Sequence, residues 1–369
     1  MNLKNILNKG ELDREDIITL LSSESSEDLG LLKSKAYEIL KEYCGIKVWL
    51  RGLIEFSNIC VNDCYYCGIR KSNKSLNRYL LSKEEIINTA LWCAEKGFGS
   101  IVLQSGERND KNFVDFVSSV VSEIKKMTIS DKLPEGLGIT LCIGEQDYNS
   151  YKKLFEAGAH RYLLRIETSN EKLFREIHPP EQSFQRRVEC LKMLKDIGFQ
   201  TGTGVMIGLP NQTIEDLADD ILFFKSIDID MIGMGPYIIH KDTPMANSES
   251  LMKNENYKEH NYLLSLKMIA TARIFLKDVN IASTTALQAI KPFGREAGLS
   301  FGANVIMPLI TPEIYRKEYQ LYEGKPCIED LAEDCYDCSV QRIKSIDREV
   351  GFDEWGDSMH FISKNSKAD

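Results

Sequence analysis

The sequence predicts an α/β protein built as a (β/α)8 TIM barrel, with an N-terminal helical extension and a C-terminal helical, cysteine-containing segment. Three observations carry this. From residue 47 onward, short apolar or β-branched runs alternate with longer stretches whose apolar residues recur every three or four positions, the pattern of βα units around a parallel sheet. The runs number eight, which is the number that closes such a barrel. A chain of 369 residues, 43% hydrophobic and 27% charged, supplies the single large core that this fold routinely builds.

Residues 1–45 read as amphipathic helices packed outside the barrel: Asp13 suits a helix start, and Leu31, Leu32, Ala36, Ile39 and Leu40 recur at helical spacing. The eight strands are expected at Lys47–Glu55, Ser100–Gln104, Gly138–Ile143, Arg161–Ile166, Thr201–Ile207, Met231–Pro236, Ile281–Ala286 and Asn304–Met307. Lys83–Lys96, Asn149–Ala157, Gln185–Ile197 and Ile214–Ser226 read as outer-ring helices. Two polar insertions, about Arg108–Glu135 and Asn247–His260, exceed ordinary loop length and read as lids or decoration, although the first has a helical pattern of its own. Beyond the eighth strand, Thr311–Arg348 reads as helical with a cysteine-bearing turn, and the final dozen residues as polar and frayed. The expected division is an extension at 1–45, a barrel at 46–310 and a C-terminal segment at 311–369.

A net charge of -9 without a basic cluster argues against a nucleic-acid partner, since phosphate binding needs concentrated Lys and Arg. With neither a signal-like apolar region nor an apolar run of membrane-spanning length, the expectation is a cytoplasmic chain with no membrane partner. In that reducing compartment the ten cysteines read as metal ligands or buried thiols rather than disulfides. Cys44, Cys93, Cys142 and Cys190 stand singly among apolar neighbours and read as packing residues.

The other six cluster. Cys60, Cys64 and Cys67 follow the first strand with C-x3-C-x2-C spacing, which chance places after a given cysteine on the order of once in a thousand times. Barrel active sites lie at the C-terminal strand ends, so this loop belongs at the mouth. Three thiolates are one short of the usual set for a cubane iron–sulfur cluster, which would leave one iron open. Tetrahedral zinc wants four N or S ligands, and no fourth Cys or His stands nearby. Ser105-Gly106-Glu107 follows the second strand, where the glycine allows either a close approach to a ligand or a plain turn. Arg165 and Glu167 alternate around Ile166, so both can face the barrel interior, where buried opposite charges need each other or a ligand.

The C-x3-C-x2-C loop resembles the signature of the radical S-adenosylmethionine (SAM) superfamily. That resemblance implies a 4Fe-4S cluster on Cys60, Cys64 and Cys67 whose open iron is chelated by SAM, and reductive cleavage of SAM to a 5′-deoxyadenosyl radical. It further implies that Tyr66 flanks the adenine, that Gly106 and Glu107 hold the amino group, and that Arg187 partners the SAM carboxylate; by itself Arg187 reads as a helix surface shared with Arg186.

Longer stretches narrow the likeness: Glu55–Asn73 (EFSNICVNDCYYCGIRKSN), Ile101–Glu107 (IVLQSGE), Tyr162–Asn170 (YLLRIETSN) and Gly204–Thr213 (GVMIGLPNQT), with Thr284-Thr285-Ala286, Gly302–Pro308 and Tyr319–Tyr322. From about residue 45 to 345 the chain is similar to the HydE family of FeFe-hydrogenase maturases. This implies a role in assembling the two-iron subcluster, on a cysteine-bound Fe(CO)2(CN) complex, with HydG-like and HydF-like partners and a reductant such as ferredoxin or flavodoxin. Gln104, Thr140, Arg165, Thr284, Thr285 and Tyr322 match family positions lining the cavity, with Arg165 on a substrate carboxylate and Glu167 beside the cofactor. Cys327, Cys335 and Cys338 match an optional family site for an additional iron–sulfur cluster; zinc or free thiols are the other readings. Ile166 departs from the histidine that relatives often carry. A 3-methylornithine synthase-like mutase or a biotin-synthase-like sulfur-inserting enzyme shares most of these motifs. A passive iron–sulfur scaffold or sensor is the non-enzyme reading and predicts no SAM cleavage.

Overall fold

The computed structural model describes residues 3–247 and 256–366. Its strands, in chain order, are β1 (Lys47–Ser57), β2 (Ser100–Ser105), β3 (Gly138–Cys142), β4 (Arg161–Leu163), β5 (Gln200–Thr203), β6 (Met206–Ile207), β7 (Met231–Ile232), β8 (Gly235–Pro236), β9 (Asn280–Ile281), β10 (Val305–Ile306) and β11 (Glu349–Gly351). All named pairings are parallel, in the order β10-β1-β2-β3-β4-β5-β7-β9. An Ala282–Val305 bridge joins the two ends, so eight strands form a ring as the sequence predicts.

Register and the two-residue period sort the side chains. Leu53, Val102 and Thr140 lie level with one another, and so do Glu55, Gln104 and Cys142 one step nearer the mouth. These point inward, where Leu53, Val102 and Leu309 form a small apolar floor beneath the cavity. Ile54, Ile101, Leu103, Ile139 and Leu141, in the alternate positions, join the main core between strands and helices.

That core is covered by α1 (Leu3–Leu7), α2 (Arg14–Ser22), α3 (Ser26–Tyr43), α4 (Lys83–Glu95), α5 (Lys111–Met127), α6 (Tyr148–Glu156), α7 (Glu171–Ile177), α8 (Phe184–Ile197), α9 (Ile214–Ser226) and α10 (Tyr257–Leu276). Asp13 caps α2 in a reciprocal capping box with Asp16. The first insertion is no lid: α5 buries Phe113, Val114, Val117, Val120, Val121 and Ile124 on one face and belongs to the outer ring. Of the second insertion, residues 248–255 lie outside the described residues.

Four strand expectations change. The fifth and sixth strands each break in two, because a Cβ on Gly204 would lie 1.9 Å from the Gly233 carbonyl oxygen and the backbones cross there. The seventh stops at Ile281, since Thr284 already occupies the N-cap of α11 (Thr285–Ile290). The fourth ends at Leu163, leaving Arg165 and Glu167 in the loop beyond it.

Past α12 (Gly294–Ser300) and β10 the chain crosses the mouth through α13 (Glu313–Arg316), runs down the outside in α14 (Ala332–Lys344) and pairs β11 with the start of β1. The expected fraying fails through Asn365: α15 (Met359–Asn365) is docked by His360 and Lys364 on Asp228 and Asp230. The preceding turn plugs the bottom of the ring. Arg51 donates to Gly356 O at 3.0 Å, Arg161 reaches Trp355 O and Asp357, and both arginines are buried. Among the described residues no helix is long and apolar enough to cross a membrane.

Candidate functional site

The loop from Asn58 to Leu80 carries the first three cysteines, and it is held without regular structure. Arg78 donates to the carbonyls of Asn58, Ile69, Arg70 and Asn73 at 2.5–3.0 Å, knotting the loop from inside. Asn58 accepts from Tyr79 N and donates to Asn77 O and Glu318 O, each at 2.8 Å. Gly106 at the end of β2 meets this loop closely: a Cβ there would stand 2.5 Å from Ile59 O and 2.8 Å from the Cys60 Cβ. The glycine therefore serves backbone approach rather than a plain turn.

Burial pushes all three thiols up, Cys64 to about 12, and the neighbouring thiols push Cys64 and Cys67 further. They share a partly exposed recess at the mouth. Among the described residues, the set of three His, Cys, Asp or Glu donor atoms lying within 4.8 Å of one another is Cys327, Asp330 and Cys335. The loop offers three thiolates, one short of the four N or S ligands of a structural zinc site and the number that leaves a cubane with one iron open. The donor chemistry of the recess thus fits a 4Fe-4S cluster with one iron left open.

Tyr66 is oriented by a residue that the sequence reading missed. His178 Nδ1 donates to Phe174 O at 2.9 Å, so Nε2 accepts from the Tyr66 hydroxyl at 3.2 Å. Burial lowers the imidazole to about 3, which keeps it in this neutral form.

Arg187 is buried at the head of α8, between two carboxylates. Its Nε donates to Glu145 at 2.5 Å, one terminal nitrogen lies 3.7 Å from Glu107, and the other donates to Arg165 O at 2.8 Å. Burial alone would pull this guanidinium down; Glu107 and Glu145 outweigh it and hold it above its ordinary range. Burial likewise raises Glu107 against the pull of Arg187. Glu145 escaped the sequence reading because nothing local marks a carboxylate that pairs 42 residues away.

Deeper in the ring stand the remaining candidates. Arg165 donates from Nε to Glu167 at 3.1 Å and from one terminal nitrogen to Val205 O at 3.0 Å, and that nitrogen also lies 3.0 Å from the same Glu167 oxygen. Glu167 sits at φ 67°, a left-handed backbone uncommon outside glycine, and both its backbone groups bond to the Gly204–Met206 turn. Ile166 faces the outer core, away from the cavity. The hydroxyls of Thr140 and Thr284 are buried with no partner among the described residues, so polar groups wait in the wall. Arg295 donates to the Thr285 hydroxyl at 2.9 Å. Gln104 lies beside the buried Tyr319 hydroxyl, and Tyr322 stands near Arg295, Glu55 and Arg165. Cys142 packs, as expected, against Leu53, Val102 and Leu309, but from the inner face of β3, half-buried, its thiol pushed up to about 12 by burial.

The second cysteine group is not assembled as expected. Cys327, at φ 64°, meets Cys335 and Asp330, and the neighbouring Cys335 thiol pulls Cys327 down from the usual thiol range. Cys338 is exposed on α14 and accepts from Arg342 Nε at 3.0 Å instead. Asp330 carried no signal of its own in the sequence.

The Radical SAM superfamily signature matches residues 54–224, from the end of β1 to α9. The [FeFe] hydrogenase maturase subunit HydE of Thermotoga maritima is 45% identical over 351 residues, 95% of each chain. A 3-methylornithine synthase of Methanosarcina acetivorans is 30% identical over 305 residues, 81% of this chain and 80% of that one. The crystal structure of methylornithine synthase (PylB) superposes with a TM-score of 0.78 at 26% identity, covering 95% of this chain and 97% of its own. With the cysteine loop, the ring and the mouth all falling within these matches, the chain is a radical SAM enzyme and belongs to the HydE family of [FeFe] hydrogenase maturases.

Proposed function

We propose that this enzyme processes a cysteine-bound Fe(CO)2(CN) complex during assembly of the two-iron subcluster of FeFe-hydrogenase. The observation that carries this reading is the end-to-end match with the Thermotoga maturase, 45% identical over 95% of both chains. Cys60, Cys64 and Cys67 would hold a 4Fe-4S cluster, which when bound supplies the electron that cleaves SAM to the 5′-deoxyadenosyl radical. Tyr66, fixed by His178, flanks the adenine. Glu107 takes the SAM amino group, and Arg187 its carboxylate, with Glu145 holding the guanidinium flat between them.

Inside the ring, Arg165 binds the carboxylate of the cysteine-derived substrate, and Glu167 keeps the guanidinium in the cavity. Thr140 and Thr284 offer unpartnered hydroxyls to the substrate's polar groups. Thr285, Gln104 and Tyr322 complete the wall. The sealed floor and apolar Leu53, Val102 and Leu309 exclude water from a radical that would otherwise be quenched. HydG-like and HydF-like maturases would supply the complex and receive the product, and a ferredoxin or flavodoxin the electron. Cys327, Cys335 and Asp330 form an accessory site outside the cavity, for a metal or a second cluster.

The test is anaerobic maturation of apo-hydrogenase with HydG-like and HydF-like partners. Hydrogenase activity should require this chain and SAM. The similarity to methylornithine synthases favours one rival, a mutase acting on lysine. Formation of methylornithine from lysine, without support for maturation, would replace the present reading with that one.

A further inference from the structure

Glu55 and Lys325 form an ion pair removed from water. Lys325 Nζ lies 2.5 and 2.6 Å from the two carboxylate oxygens, and the side chains are 6% and 2% exposed. The third ammonium proton goes to Tyr319 O at 2.9 Å, so every donor of Lys325 is used. Burial pushes Glu55 up and Lys325 down, each toward its neutral form, and their mutual contact opposes this. Such a pair is a poor source of stability, because well-packed apolar groups of similar volume commonly do as well or better.

What the pair does hold is position. Glu55 belongs to the inward layer of β1 that is level with Gln104, three residues before Asn58. Lys325 belongs to the segment that crosses the mouth. That segment carries Tyr319, buried against Gln104, and Tyr322, near Arg165 and Arg295. It also grips the cysteine loop on either side of the three thiols: Glu318 O accepts from Asn58 Nδ2 at 2.8 Å, and Leu321 O accepts from Gly68 N at 3.0 Å. A Cβ on Gly68 would lie 2.1 Å from Gln320 O, so the contact is close packing. On the far side Glu323 N donates to Ile239 O at 3.2 Å.

We propose that Glu55 and Lys325 are a positioning pair, seating the Tyr319–Tyr322 segment as a roof on the cavity and holding the cysteine loop against it. The roof then restrains SAM cleavage until the cavity is filled. This rests on the reading of the cysteine loop and Tyr322 given above, but its first test does not depend on the substrate.

The double variant Glu55→Gln/Lys325→Met removes both charges together and keeps the volumes. In the reconstituted holoenzyme it should melt close to the wild type. The amides of Gly68 and Glu323 should exchange with solvent at least tenfold faster, and 5′-deoxyadenosine formed without substrate should rise at least threefold. Native exchange together with native substrate-free cleavage would overturn the proposal. If the double variant does not fold, exchange in the wild type decides: Gly68 and Glu323 opening as one unit supports the roof, and independent opening refutes it. A wild type that cleaves no SAM would strike the proposed function, while the exchange measurement would still judge the pair.

Discussion

Replacing Arg165 with Lys keeps a positive charge in the cavity and removes the planar fork. In the structure Nε and one terminal nitrogen both reach Glu167, and that nitrogen also reaches Val205 O, while the remaining terminal nitrogen has no protein partner among the described residues. Lysine would retain one contact with Glu167 and lose both the Val205 bond and the fork that a substrate carboxylate would use. Hydrogen bonds to charged groups contribute roughly 1.5–3 kcal/mol each. Because the Arg165 side chain is 29% exposed, water screens part of that. A net loss of about 1.5–3 kcal/mol corresponds to roughly a tenfold to hundredfold fall in substrate turnover. The assay pairs anaerobic quantification of 5′-deoxyadenosine under reduction with hydrogenase maturation. SAM cleavage should stay within about threefold, since the substitution leaves in place the backbone carbonyl that residue 165 offers Arg187, and the lysine keeps one contact with Glu167. Equal loss of both activities would move Arg165 to the SAM site, and loss of neither would make it a structural partner of Glu167.

Cys64→Ala should abolish 5′-deoxyadenosine formation, and cluster-dependent cleavage surviving in this variant would mean that the ligands are misassigned. Changing Cys335 and Cys338 together to Ser should leave SAM cleavage within about twofold, because both lie on α14 outside the ring; a dead variant with a folded barrel and an intact first cluster would refute the accessory reading. Asp220, fully buried on α9, has its carboxyl raised by burial from 3.8 to about 7, against the opposing bond from Ser169 N. The folded state therefore holds a proton that the unfolded state releases, and this contribution is complete below about pH 4 and is lost as pH rises through 7. Asp220→Asn should remove that dependence, so the variant gains on the wild type between pH 5 and pH 8, by a few kcal/mol at most. Thermal melts at the two pH values check this, and a stability difference that does not change with pH would sink it.

The ring of strands was legible because each βα unit writes its own periodicity, and the cysteine loop because its spacing is local. What escaped was settled by partners far along the chain. Glu145 gained meaning from Arg187, His178 from Tyr66, and Glu55 from a lysine 270 residues away. The seventh strand was overextended because Thr284 and Thr285 suit a strand and a helix start equally well, and only the tertiary turn at α11 separates the two. Cys142 looked apolar by its sequence neighbours, yet alternation along β3 aims it with Thr140 into the cavity, and that could have been read from the period alone. The broken strands at Gly204 and Gly233 reflect a crossing of two backbones that no single segment records.

The plug formed by Trp355, Gly356 and Asp357 closes the bottom of the ring and leaves the mouth as the end that can admit a ligand. A substrate resting against Thr140 and Arg165, with SAM held at the rim by Glu107 and Arg187 as proposed above, would share that open end with it. A molecule lodged at that depth has to arrive before the rim is occupied and can depart only after the rim is cleared. The architecture thereby imposes a compulsory sequence of arrivals and departures, and steady-state kinetics should show it as SAM inhibiting at high concentration when it takes the mouth first.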